Sequence, residues 1–399
     1  YKKEGKRYAK SNLSKHLDEW IETVMFGQNE LRSEVGKLSL TQAAGAANKF
    51  TAMSTLSFNL LQGANQLILD NLSTVQEAVA GQFISKSDFA WAKAKYWGEA
   101  AAIKDITRFD PQTKLGKAME YFDALTEFTD REGNKLVGGQ ARRLLSTDNL
   151  LFLQQAAEHE LSATRLLGLM RSLKGKLKDK DGNVLQNKKG KDADLYDMLL
   201  IDKKTGLMSV DPRIDNFNRL DFINLVQGLS RRTNQTKGKM HTSMLSRRWY
   251  GKLFMLFRNW IMPGLRRHYG HGGLFGSTLH VDEELGTMTQ GFVISIINLL
   301  QSSVNNRKWV YGELTDLEKQ NVKRGVTEIG FMATASVLVS ALANLDDDDE
   351  SWGSNFALYQ AKRYQTEIEQ WYPPAGISEM LRILESPTAT ARPLVKGYE

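Results

Sequence analysis

The residues of this chain best suited to chemistry are basic. Between Phe222 and Val281 there are ten lysines and arginines and no aspartate or glutamate. The densest part, "RRWYGKLFMLFRNWIMPGLRR" (Arg247–Arg267), interleaves cations with Trp, Tyr, Phe and Leu. Such a stripe suits phosphate contact with base stacking, attachment to an anionic membrane surface, or a core helix whose arginines snorkel to solvent. The spacing leaves all three open. The candidate contact residues are Arg231, Arg232, Arg247, Arg248, Lys252, Arg258, Arg266 and Arg267.

Other chemistry is poorly supplied. The chain has no cysteine, which excludes disulfides, thiolate metal sites and thiol nucleophiles. His268, His271 and His280 cluster in a glycine-rich stretch, where H-x-x-H could hold a metal; surface histidines are the expectation. "DKDGNVLQN" (Asp179–Asn187) lacks the alternating acids, the glycine at the sixth position and the closing glutamate of a calcium loop. The acidic run Asp346–Glu350 reads as a solvated helix end or a contact for a basic partner. Phosphate-binding, dinucleotide-binding, G-x-S-x-G and H-E-x-x-H patterns are missing, and Glu385-Ser386 is only a dipeptide. No catalytic residue, metal ligand or cofactor is therefore expected.

The elements that must position the basic residues are helices. Leu245, Trp249, Leu253, Leu256 and Trp260 share one helical face, widened by Phe254, Phe257 and Ile261, and Met262-Pro263-Gly264 is expected to end that helix. "SNLSKHLDEWIETVMFG" (Ser11–Gly27), "SKSDFAWAKAKYWGEAAAIKDI" (Ser85–Ile106) and "TDNLLFLQQAAEHELSATRLLGLMRSL" (Thr147–Leu173) also carry helical periodicity. Between them, Asp130–Gly138, Asp179–Asn187 and Ile201–Val210 read as tight turns between short strands. The expected architecture is mainly α: many helices, elongated or loosely packed, with a small β-hairpin-rich insertion. Four regions are expected: a helical region over 1–129, a mixed one over 130–212, a basic helical one over 213–310, and a helical one with the acidic run over 311–399.

Composition bounds the partners. A net charge of +7 is a mild lean toward anions, and seven prolines in 399 residues suit long helices. Phe50–Leu69, Thr287–Asn306 and Ile329–Leu345 are uncharged and long enough to cross a bilayer, yet Asn, Gln, Ser and Thr recur in them. Helices that enter a membrane late, in company, fit better than resident anchors. The first residues, "YKKEGKRYAK", carry no apolar signal region, and both ends read as parts of a longer polypeptide.

Two stretches, Ala43–Ser85 and Leu253–Gly270, resemble the virion-packaged cargo and ejection proteins of crAss-like tailed bacteriophages. The resemblance covers about a sixth of the chain. It implies a non-enzymatic protein stored in the capsid or tail, held by portal and tail proteins in several copies, and ejected into the host with the genome. Genomic DNA and the host membrane would be its further contacts. Such phages also package a giant RNA polymerase with an Asp-rich catalytic loop; the run at Asp346 lacks the D-x-D-x-D form, so no catalytic role follows. A nucleic-acid-binding accessory segment of that polymerase and a membrane-active pore-forming protein are the alternatives.

Overall fold

The computed structural model describes residues 2–3, 6–7, 34–35, 38–40, 42–47, 71–100, 113–124, 152–202, 204–233, 249–255, 261–270, 281–282, 287–288, 291–343 and 352–369. These residues are mostly helical, as the periodicity requires. The chain divides into two compact units. One comprises Tyr1–Thr55, Thr236–Trp260 and Glu385–Glu399, the other Leu56–Gln235 and Ile261–Leu384. In the first unit, the described residues include two-residue strand pairs, a helical segment at 42–47 and the helix Trp249–Met255.

The second unit is built around one buried helix. Its helices are α1 (71–80), α2 (Lys86–Ala100), α3 (Lys114–Tyr121), α4 (Phe152–Ser172) and α5 (Arg219–Thr233). Further along come α6 (Ile261–Tyr269), α7 (Phe292–Asn305), α8 (Asp316–Ala343) and α9 (Trp352–Glu369). In α4 every residue from Ala163 to Met170 is buried, so it has no solvent face in its C-terminal half. A helix that is apolar nearly all round belongs in the middle of a core. Gly168 makes this possible on one side, because a Cβ there would lie 3.4 Å from Ile84 and 3.9 Å from Ala92 of α2. Leu166, Leu167, Leu169 and Met170 join Met119 and Phe122 from the α3 end and Phe222, Val226 and Leu229 from α5. The Thr113 hydroxyl caps α3 by accepting from the Gly116 amide at 2.9 Å.

Two of the three predicted turns lie among the described residues and carry the expected chemistry. Lys178 pairs with Val184 and Gln186 with Asp192 in two isolated antiparallel bridges, beside which Leu177, Leu185 and Ala193 are buried. The Asp179 carboxylate accepts from the amides of Asp181 and Asn183, and Gly182 takes φ +81°. These bonds hold the Asp179 carboxyl below its ordinary value. The loop is thus an Asx turn. The second turn closes the hairpin of β1 (Leu199–Ile201) and β2 (Met208–Val210), with Gly206 at φ +71°. Lys117 of α3 donates to the Gly206 carbonyl and fixes the hairpin tip. The turn expected at Asp130–Gly138 and the helix expected at Ser11–Gly27 lie outside the described residues.

The C-terminal helices form a second layer with a thinner core. Leu299, Val310 and Val322 are its buried cluster. A capping box starts α8: the Glu318 carboxylate accepts from the Thr315 amide at 2.8 Å, and the Thr315 hydroxyl accepts from the Glu318 amide at 3.3 Å. Gly325 lets α7 press onto α8, since a Cβ there would stand 2.5 Å from Ile296. The uncharged run Thr287–Asn306 is not one helix. Thr287 and Met288 pair as strand with Val281 and Asp282, and α7 starts only at Phe292. Its 14 residues rise about 21 Å, short of the ~30 Å hydrocarbon core. Among the described residues no helix is long and apolar enough to cross a membrane. Phe50–Leu69 lies outside them.

Candidate functional site

The basic stretch is divided by the fold. Arg247, Arg248, Lys252 and Arg258 belong to the first unit, and Arg231, Arg232, Arg266 and Arg267 to the second. Arg247, Arg248 and Arg258 lie outside the described residues; of Lys252, Arg231, Arg232 and Arg266 only the helical backbone is described. The expected helix end at Met262-Pro263-Gly264 is corrected. Pro263 sits in the first turn of α6, where its missing N–H has no intrahelical acceptor to lose. Proline here opens a helix.

Arg267 is described in full, and it points inward. Its Nη2 donates to Gln76 Oε1 of α1 at 2.6 Å, and its guanidinium lies 5.2 Å from the centre of the Phe292 ring. Gln76 in turn donates to the Arg324 carbonyl at 2.9 Å. Arg324 of α8, only 1% exposed, donates to Glu77 at 2.7 and 3.0 Å, to Asn321 at 2.9 Å and to Gln82 at 2.7 Å. One connected set of polar side chains thus joins α1, α6 and α8. Planar guanidinium and planar carboxylate match two-to-two, which sets the rotation of α8 against α1 as well as its distance.

His268 corrects a second expectation. It is buried, and its Nδ1 is 2.8 Å from the Gly264 carbonyl, an acceptor, so Nδ1 carries a proton. Nε2 faces both Glu328 carboxylate oxygens at 2.9 and 3.0 Å. The burial comes from Gly291: a Cβ there would stand 2.5 Å from the His268 carbonyl, so glycine brings the start of α7 against α6. His271 and His280 lie outside the described residues, among which no group of three or more metal-binding side chains occurs.

A second polar set crosses the core around α4. Arg165 Nε donates to the Thr74 hydroxyl at 3.2 Å. Lys93 of α2 pairs with Glu160, which also accepts from Thr164 at 3.2 Å and Asn71 at 3.4 Å. Burial holds the Lys93 ammonium below its ordinary value, against the pull of Glu160. Tyr96 Oη meets His159 Nδ1 at 3.1 Å; burial lowers His159 to about 4 and raises Tyr96 to about 12. Tyr196 donates to Glu99 at 2.9 Å, and burial with that carboxylate raises the phenol further. These groups bond to one another inside the protein, which is the chemistry of cross-linking helices.

Sequence reasoning passed over these residues. Their signal was present: Gln76 and Glu77 in "STVQEAVA", and Glu160 and Arg165 in "EHELSATRLLGLM", interrupt otherwise apolar helical faces. A charge at a core position needs a buried partner.

The outer side of the C-terminal layer is a different kind of site. Of the fifteen large apolar side chains exposed among the described residues, eight lie between Ile297 and Leu338: Ile297, Leu300, Val304, Trp309, Val326, Ile329, Val337 and Leu338. α7 contains no charged residue. Contiguous apolar exposure is a feature of interaction surfaces. Comparisons with protein-family models, curated proteins and solved structures find no match to this chain.

Proposed function

We propose that this chain is a non-enzymatic structural or cargo protein of a bacteriophage virion, stored in the capsid or tail and ejected into the host with the genome. It acts by packing against portal and tail proteins, with DNA or membrane as further contacts. The observation that carries the reading is the exposed apolar surface of α7 and α8, which fits a component of a larger assembly better than a free-standing protein. Buried polar side chains are spent on joining helices, as in Arg324–Glu77 and Lys93–Glu160. The absence of cysteine adds support, because a disulfide-closed loop would resist passage through a narrow channel. The resemblance of Ala43–Ser85 and Leu253–Gly270 to crAss-like phage cargo supplies the setting.

A second reading, nucleic-acid contact, draws on the acid-free stretch Phe222–Val281. It serves the same delivery role or that of an accessory segment of a packaged polymerase. Mass spectrometry of purified virions tests the proposal. Peptides from this chain are expected in intact particles and depleted from particles that have ejected their DNA. Their confinement to the non-particle fraction of infected cells would sink it.

A further inference from the structure

Between α4 and β1 the chain makes two turns of the same build. The Asp179 side chain accepts from the amides of Asp181 and Asn183 at 3.0 and 2.8 Å, and the Asn187 side chain from those of Lys189 and Lys191 at 3.0 and 3.2 Å. Each turn closes on a glycine of positive φ, Gly182 at +81° and Gly190 at +68°. Seven lysines occur from Lys174 to Lys191, and all are exposed. None of them forms an ion pair among the described residues. Asp179, Asp181 and Asp192 leave residues 174–192 an excess of +4 (seven minus three), and Asp197 and Asp215 alongside bring it to +2.

We propose that this lysine-bearing surface grips the phosphate backbone of double-stranded DNA without reading its sequence. Composition selects the partner by elimination. Protein interfaces concentrate aromatic residues, Met and Arg and are depleted in Lys, and residues 173–195 contain no aromatic residue, Met or Arg. Membrane-surface elements pair their cations with large apolar side chains that enter the lipid. Val184, 40% exposed, is the one large apolar residue exposed in this stretch. Single strands are held by stacking their bases on aromatic rings, which this surface lacks. The duplex backbone remains. Phosphate contacts position a protein on DNA and carry no sequence information, and lysine, a point charge, suits them.

Spacing agrees. The two turns stand at opposite ends of residues 183–187, whose Val184 and Gln186 bridge to Lys178 and Asp192. Four residue steps of extended chain span about 13 Å, close to the roughly 12 Å width of the B-DNA major groove. Lys180 at one turn and Lys188 and Lys189 at the other can thus meet phosphates on both walls. Asp179 and Asn187 hold the turns from within, so the cations keep that separation before DNA arrives. The surface adds to the acid-free stretch as a second contact, and its loss weakens binding without abolishing it. The inference rests on the reading of the chain as one that travels with the genome. Binding by the purified full chain tests the surface by itself, whatever the virion data show.

The experiment titrates the full chain into two labelled duplexes of unrelated sequence and reads fluorescence anisotropy from about 50 to 200 mM salt. Both duplexes should bind alike. Lys180→Glu, Lys188→Glu and Lys189→Glu together should weaken binding at least about tenfold at low salt. They should also reduce the slope of log affinity against log salt by about 2.7, at about 0.9 per phosphate contact. Lys188→Gln with Lys189→Gln is the milder change, and should reduce that slope by about 1.8 with helical circular dichroism unchanged. The same charge change placed elsewhere, by reversing the exposed Lys86, Lys323 and Lys362 to glutamate, should leave the slope as it was. No binding of the unmodified chain at low salt overturns the proposal. An equal effect of the two triple reversals also overturns it, because net charge alone then governs binding. Uptake by phosphatidylglycerol vesicles in place of the duplexes overturns it in favour of a membrane.

Discussion

Arg324 and Glu77, 247 residues apart in sequence, meet inside the protein through two hydrogen bonds of 2.7 and 3.0 Å. Neither side chain reaches solvent to any extent. Removing one partner of a buried ion pair costs about 3–5 kcal/mol. Glu77→Ala and Arg324→Ala are each expected to destabilise by that amount. The double substitution Glu77→Leu with Arg324→Met should cost clearly less than the sum, because the desolvation penalty goes with the charges. A urea-unfolding double-mutant cycle measures this, and additive losses would contradict a coupled pair.

His159 gives a pH dependence with a definite sign. Its value is lowered by burial to about 4, against about 6.5 in the unfolded chain. Near pH 7 both states are neutral there and the group contributes nothing. Between pH 6.5 and 4 the unfolded chain binds the extra proton, so stability falls as pH falls, by up to about 3 kcal/mol across the window. His159→Gln keeps a polar partner for Tyr96 and cannot titrate. The variant should therefore lose less stability than the parent between pH 7 and 4.5, a difference of about one proton in slope. Parallel pH profiles for the two proteins would show that His159 is not held neutral.

The helical class was legible in apolar periodicity, and two turns were legible in their Asp, Asn and Gly. Both signals are local: a turn at Asp179 needs nothing beyond Asp181 and Asn183. The polar cross-links were not legible, because Glu77 finds Arg324 only after the chain has folded. Pro263 misled for a related reason. Its effect depends on whether it falls in the first turn or the interior of a helix, and the strong pattern upstream favoured the interior. His268 looked like a loop residue because the glycines around it also signal loops; Gly291 in fact admits a close approach of backbone.

Glycine substitutions separate close approach from idle flexibility. A Cβ at Gly291 would stand 2.5 Å from the His268 carbonyl carbon and oxygen and 2.8 Å from the Gly270 nitrogen. Backbone cannot step aside as a side chain tip can, so Gly291→Ala is expected to destabilise by several kcal/mol, in the range of overpacked cores or beyond. Gly98 sits within α2, and a Cβ added there would meet nothing inside 4 Å. Gly98→Ala should stabilise by about 0.5–1 kcal/mol through helix propensity. Thermal melts of the two variants should move in opposite directions.

The last prediction separates the arginines of the basic stretch by role. Arg267 is engaged with Gln76 and Phe292, so it is occupied within the protein. Arg267→Ala is expected to lower stability by about 1–3 kcal/mol, the cost of stranding a buried hydrogen-bond partner. It should leave any DNA affinity, corrected for folded fraction, unchanged in its salt dependence. Arg247, Arg248 and Lys252 are the residues that the acid-free sequence pattern nominates for phosphate contact. Reversing all three to glutamate should abolish binding of the full chain to duplex DNA at low salt. For the parent, log affinity should fall linearly with log salt, because each bound phosphate releases counterions. Binding that ignores salt, or that survives the triple reversal and vanishes with Arg267→Ala, would reverse the two roles.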